Sequence, residues 1–253
     1  MTTKESLEQV PGIGRSVAAY ERSSEVNPYT SKFDLFWDKA RAKRLDVAAI
    51  NTGNWTRYRK LGFSDSELYG LALFNDPLAA NCASCHSLAA GSKGYPLFTD
   101  YGYDNLGVPK NLENPFYANL AYNPAGAAWV DTGLGGYLES VEPAAAAAGM
   151  GRMKVPTLRN VDKRPSTDFV KAYSHNGYFK SLSDIVRFYA MRGMGGHMGG
   201  GMGGGMGGMM CGGMTFPAPE VDQNLAALNH FRCADTSYIV TFLRTLSDGY
   251  FRR

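Results

Sequence analysis

Apolar positions along the chain gather into short helical groups set between long polar and glycine-rich stretches. Val17, Ala18, Ala19 and Tyr20 follow Pro11-Gly12 and predict a short first helix. Phe33, Leu35, Phe36 and Trp37 form an aromatic cluster ahead of the basic run Lys39 to Arg44, which reads as a solvated helix face rather than a docking patch. Ser64-Asp65-Ser66-Glu67 is a capping box, its hydroxyl and carboxylate each able to satisfy a free amide at a helix start. The helix it opens carries Leu68, Leu71, Ala72 and Phe74, and Asn75-Asp76-Pro77 breaks it. Ser181-Leu182-Ser183-Asp184 marks another start, after which Leu182, Ile185, Val186 and Tyr189 fall at i, i+3, i+4 and i+7, so Tyr189 faces inward. A last helix, Thr236 to Asp248, presents Ile239, Phe242, Leu243 and Leu246 on one face.

Residues 87 to 140, rich in Gly, Pro, Asn and Tyr, show little periodicity. Long ordered loops are expected there if a large cofactor stands in for packed core. At 253 residues and 44% hydrophobic content the chain has the composition of a soluble globular protein with one large or two small domains. Its 26 basic and 23 acidic residues leave +3, too little to argue for nucleic acid. No apolar run is long enough for a membrane span, the nearest being Ala144 to Ala148.

The stretch that gives these elements a purpose is Asn81-Cys82-Ala83-Ser84-Cys85-His86, just beyond the capped helix. Two cysteines two residues apart with a histidine directly after the second is the attachment pattern of haem c. Both thiols add to the haem vinyls, and the imidazole becomes the proximal iron ligand. A redox dithiol does not need the histidine, and a structural zinc site needs a second ligand pair at comparable spacing, which the chain lacks. Thioether attachment points outside the bacterial cytoplasm, yet no apolar signal region follows Met1, so either a leader was removed or the chain is a piece of a longer one. Cys211 and Cys233 could pair in such a compartment. Tyr189, on periodicity alone, is a core tyrosine whose hydroxyl needs a carbonyl, a water or the haem iron as partner. The basic residues of Gly151 to Asn160 could neutralise haem propionates, Arg159 among them, or simply face solvent.

Several motifs in register now carry a resemblance. CxxCH, Phe98-Thr99-Asp100 with Asn105-Leu106-Gly107-Val108-Pro109, Lys154-Val155-Pro156-Thr157-Leu158-Arg159-Asn160-Val161, His175-Asn176-Gly177-Tyr178-Phe179 and Phe242-Leu243-Arg244-Thr245-Leu246 follow one another in that order. Over residues 12 to 253 the chain resembles the carboxy-terminal half of the bacterial di-haem cytochrome c peroxidases and the related MauG proteins. The resemblance implies a mainly α fold with a cytochrome c-like haem domain at 61–253 and long wrapping loops, an electron-transfer haem and periplasmic location. It also makes residues 1–60 a helical extension like the closing helices of an absent amino-terminal domain. In the peroxidases a methionine fourteen residues beyond the histidine of a His-Xaa-Gly motif is the distal ligand, and in MauG a tyrosine. Fourteen from His175 is Tyr189. The resemblance thus implies His86/Tyr189 ligation, and a phenolate, as a hard anionic donor, would lower the potential relative to a His/Met cytochrome.

The departures shape the expected function. The family's second, peroxidatic haem has its own CxxCH, and this chain has one. The asparagine that supplies a calcium ligand should lie upstream, which puts calcium in doubt. A His/Tyr haem has no open position for peroxide. A monohaem electron carrier serving a redox partner protein or a second haem domain is therefore favoured over a peroxidase or MauG-like oxidoreductase completed by a haem outside this chain. Sequence does not give the oligomeric state. Met191 to Met214 replaces an ordered loop of the family with eight methionines and thirteen glycines, plus His197 and Cys211. It reads as a flexible, slack insertion at 191–214. The sharper alternative is Cu(I) capture by Met194, His197, Met198 and Cys211, since thioether, thiol and imidazole suit that ion.

Overall fold

The computed structural model describes residues 3–192, 215–222 and 231–252. Seven helices are found among these residues: α1 (Thr3–Glu21), α2 (Lys32–Ala42), α3 (Asp65–Asn75), α4 (Leu134–Val141), α5 (Pro143–Gly149), α6 (Leu182–Arg192) and α7 (Thr236–Arg244). A two-residue strand β1 (Tyr103–Asp104) pairs antiparallel with β2 (Met153–Lys154), in the register Tyr103 with Lys154 and Asp104 with Met153.

Local chemistry explains where the central helices start. Ser64 accepts from the Glu67 amide at 3.3 Å while the Glu67 carboxylate accepts from the Ser64 amide at 2.7 Å, so the capping box read from the sequence is formed. A second box, Ser31 with Asp34, opens α2. At α6 the Ser181 hydroxyl accepts from the Asp184 amide at 3.1 Å.

α3 and α7 cross at Gly70, which is what lets the core close. A Cβ on that residue would overlap the Tyr238 carbonyl oxygen and lie 2.9 Å from the Phe242 Cβ, so the two backbones touch. Around the crossing, Phe33, Phe36, Leu68, Leu71, Phe74, Phe98, Phe242 and Leu246 are wholly buried. Phe98 stands edge-on to Phe33, Phe74 and Phe242 at 5.0, 6.1 and 6.2 Å. Each such side chain contributes roughly 1.5–3 kcal/mol through burial alone.

Several boundaries differ from the expected ones. α1 runs unbroken through Pro11-Gly12 from Thr3, where the sequence suggested a start after them. The alanine tract at 144–148 forms α5 with Pro143 in its first turn, because a fixed proline φ and alanine propensity favour helix even without an apolar period. α7 stops at Arg244, although Leu246 beyond it remains buried. Residues 33–58 share one hydrophobic cluster with residues 61–246, so the stretch read as an extension supplies core.

Candidate haem-attachment site

α3 is capped by Asp76, whose carboxylate accepts from the Thr52 hydroxyl at 2.6 Å and from the Leu78 amide at 2.9 Å. These bonds turn the chain sharply towards the cysteines. Asn81 then adopts a left-handed conformation, φ 51°, which asparagine tolerates better than most residues. A single tight turn over Cys82–Ser84 follows, and the amides of Cys85 and His86 both point at the Cys82 carbonyl, at 3.3 and 2.8 Å.

His86 Nδ1 lies 2.9 Å from the Phe98 carbonyl oxygen. A carbonyl only accepts, so Nδ1 carries the proton and Nε2 keeps its lone pair. Burial pushes the imidazole pKa down, against the opposing pull of the Phe98 and Pro156 backbone bonds and of Asp100 and Asp104, and favours the neutral ring a metal requires. Burial likewise pushes the Cys82 thiol up to about 12 and the Cys85 thiol up to about 11. Cys85 also donates to Asp104 Oδ2 at 3.3 Å, from the edge strand β1.

Tyr189 arrives from α6 on the face the periodicity assigned it. Leu182 and Val186 are buried on that face, and Phe188, which the pattern missed, is wholly buried beside it. Burial raises the Tyr189 phenol above its usual range, and Cys82, Cys85 and Asp104 raise it further. Those three neighbours place the phenol beside the attachment loop. Among the described residues nothing hydrogen-bonds its hydroxyl. Two free thiols, an imidazole and a phenol form a donor set that suits a covalently held haem.

Arg159 is differently employed. Its guanidinium meets Asp34 at 2.6 and 3.1 Å and Asp248 at 3.4 Å, with side chains no more than 1% exposed. Its charge is balanced within the protein, and only Nε, buried without a partner, is uncommitted. Arg159 is thus held in a carboxylate clamp of Asp34 and Asp248. Met194, His197, Met198 and Cys211, with most of the Met/Gly stretch, lie outside the described residues, while Cys233 is disulfide-bonded. No group of three or more His, Cys, Asp or Glu side chains among the described residues is arranged to hold a metal ion.

The remaining motif residues brace the loops. Asn105 donates to the Met150 and Asp222 carbonyls at 3.2 and 2.8 Å, and Asn176 donates to the Pro109 carbonyl at 2.8 Å. His175 faces Glu220 at 3.8 Å rather than joining the cysteines. Sequence reasoning passed over Asp104 and the Phe98 carbonyl, although both sit within or between the motifs it singled out.

Over 175 residues the chain is 30% identical to the methylamine utilization protein MauG of Paracoccus denitrificans, covering 69% of this chain and 35% of that protein. It is 27% identical over 195 residues to a cytochrome-c peroxidase of Pseudomonas sp., covering 72% of this chain and 41% of the relative. The crystal structure of the diheme peroxidase BthA from Burkholderia thailandensis matches 94% of this chain and 51% of its own, with a TM-score of 0.59 at 27% identity. The homologues of this chain are MauG and the di-haem cytochrome c peroxidases. A BthA variant with tyrosine changed to methionine shows the same fold, at a TM-score of 0.56 and 24% identity. No family model matches. The mostly helical architecture is that of the cytochrome c peroxidase and MauG fold, and a haem-based redox role is supported. The chain spans about half the length of BthA and less than half of the two sequence relatives. No helix among the described residues is long and apolar enough to cross a membrane.

Proposed function

We propose that the chain is the electron-transfer half of a MauG or peroxidase-like protein. It carries one haem c, bound through Cys82 and Cys85, with His86 and Tyr189 as axial ligands. It works in the periplasm, exchanging electrons with a redox partner protein or a second haem domain. The observation that supports this is the convergence of His86, committed through Nδ1 to the Phe98 carbonyl, and Tyr189, unpartnered beside both thiols.

When bound, the haem supplies a one-electron couple. The protein supplies position and electrostatics. The Phe98 carbonyl fixes the imidazole plane and strengthens Nε2 as a donor. The wholly buried Phe188 stands edge-on to Tyr189 with ring centroids 6.3 Å apart and fixes it from the core side. Asp100 and Asp104 bring negative charge to the His86 side, which favours the more positive, oxidised state of a metal there.

A peroxidase or MauG-like reaction with a haem outside this chain is the second reading, and the peroxidase relatives favour it. The two differ in where peroxide would react, since a doubly ligated iron leaves no open position.

Tyr189→Phe decides the ligation: its ferric optical and electron paramagnetic resonance spectra are expected to depart from the parent's, and matching spectra would refute it. Colour surviving acid-acetone extraction, with one haem mass added to the chain, establishes the covalent cofactor. Substantial hydrogen peroxide turnover by the purified single chain would overturn the carrier reading in favour of the second.

A further inference from the structure

With Arg159 held by Asp34 and Asp248, the two propionates that a haem brings need a different cation. Other basic side chains are already committed to carboxylates. Lys32 meets Glu67 at 2.7 Å, and Asp162 takes Arg164 at 2.9 Å and Arg244 at 3.2 Å. Arg192 is different. It closes α6, its Nη2 donates to the Gly107 carbonyl, and its guanidinium lies over the Phe188 ring at 5.0 Å. Among the described residues its Nε is buried without a hydrogen-bond partner, and no carboxylate forms an ion pair with the group. Burial pulls the Arg192 pKa down, with Asp222 pulling the other way. A half-buried cation matched only by a carbonyl and a ring is costly, and an anion arriving with a ligand removes that cost.

Its place fits such an anion. Arg192 follows Tyr189 by three residues on one helix, about one turn further along. The carbonyl it donates to belongs to Gly107, three residues past Asp104, whose carboxylate meets the Cys85 sulfur at 3.3 Å. A haem fixed by its vinyl edge to Cys82 and Cys85 turns its propionates away from them, since the two pairs of substituents stand on opposite sides of the porphyrin. The charges acting on the two α6 side chains agree with this order: Cys82, Cys85 and Asp104 act on Tyr189, and Asp222 acts on Arg192. Arg152 also has a buried Nε without a partner among the described residues. It precedes Met153, the register partner of Asp104, so strand alternation turns it to the face opposite the Asp104 carboxylate.

We propose that Arg192 is a positioning residue that pairs with a haem propionate. The inference rests on the haem reading and extends it to the far edge of the cofactor. A guanidinium offers a carboxylate two parallel N–H donors, and Nε is among those not committed to Gly107. Such a pair fixes the tilt of the porphyrin as well as balancing its charge. A balanced propionate no longer favours ferric iron, so the charge of Arg192 raises the potential.

The test uses the full chain loaded with haem, its stoichiometry established first by mass. A chain that takes no haem refutes the proposed function, and the propionate pair with it, before any variant is compared. Midpoint potentials come from spectroelectrochemistry and the propionate bending band from resonance Raman spectra. Arg192→Gln is expected to lower the potential, changing the oxidised-to-reduced ratio at a fixed applied potential by on the order of tenfold, and to move the propionate band. Arg192→Lys should hold the potential near the parent's while still moving the band, because a point charge keeps the field but loses the fork. Arg152→Gln should change neither. A potential and band unmoved in Arg192→Gln overturn the proposal, as does an equal effect in Arg152→Gln or a lysine variant that loses as much potential as the glutamine one. If Arg192→Gln fails to fold, the lysine variant decides alone, a parent-like band refuting the pair.

Discussion

Asp34 and Arg159, 125 residues apart in sequence, meet in the interior at 2.6 Å with both side chains shut off from solvent. The same carboxylate accepts from the Ser31 amide and hydroxyl at the start of α2, and the same guanidinium reaches Asp248 near the end of the chain. Asp248 in turn accepts from the Thr30 amide at 2.6 Å and from Asn160 at 3.0 Å. Three distant segments are thereby tied at one point.

Removing the guanidinium strands two buried carboxylates. Arg159→Leu is expected to cost roughly 3–5 kcal/mol, the range for breaking a buried pair by deleting one partner, which corresponds to a Tm lower by on the order of 10 °C in a chain this size. Thermal unfolding followed by circular dichroism checks it. A change within error would mean that the clamp adds little.

Gly70→Ala probes the crossing of α3 and α7. The added methyl would overlap the Tyr238 carbonyl and crowd Phe242, and the obstruction is backbone, which cannot rotate away. A loss of about 3 kcal/mol is expected, at the upper end for overpacking. Urea unfolding of the variant measures it, with an unchanged midpoint as the contrary result.

Asp76 should leave its mark on acid stability. The Thr52 hydroxyl bond, more than the opposing burial, holds its carboxyl below the usual carboxylate range, with the Leu78 and Thr52 amides adding to the effect. The unfolded state therefore binds the proton first as pH falls from about 4. The contribution of Asp76 is fully present above that value and is lost as pH drops through the lower folded pKa. Asp76→Asn should flatten this limb of the stability curve, as followed by stability measurements between neutral and acid pH.

Axial chemistry predicts the direction of a potential change. With Tyr189 as the proposed distal ligand, Tyr189→Met would replace a hard oxygen donor by a thioether, which favours the reduced metal. The midpoint potential should rise by on the order of 0.1 V or more, within the roughly 0.8 V that axial ligands can span. Spectroelectrochemical titration of the two proteins gives the value, and a fall would contradict phenolate ligation in the parent.

Local order in the sequence determined a good deal of this. The capping residues at Ser64 and Ser181, the i, i+3, i+4, i+7 row ending at Tyr189 and the contiguous Cys82, Cys85 and His86 depend on neighbours within one or two turns, so their meaning survives without the fold. Spacing is sufficient where the interacting groups are close in the chain.

What only the tertiary structure decided are the long-range pairings. That Arg159 spends its charge on Asp34 and Asp248, that the Phe98 carbonyl orients His86, that Asp104 meets Cys85 and that Gly70 admits α7 all require segments far apart in the sequence to be brought together. A guanidinium donates equally well to an aspartate or to a haem propionate, and periodicity is silent on which arrives. Packing chose the carboxylates, because closing the core around Phe33, Phe98 and Phe242 carries Asp34 and Asp248 to Arg159.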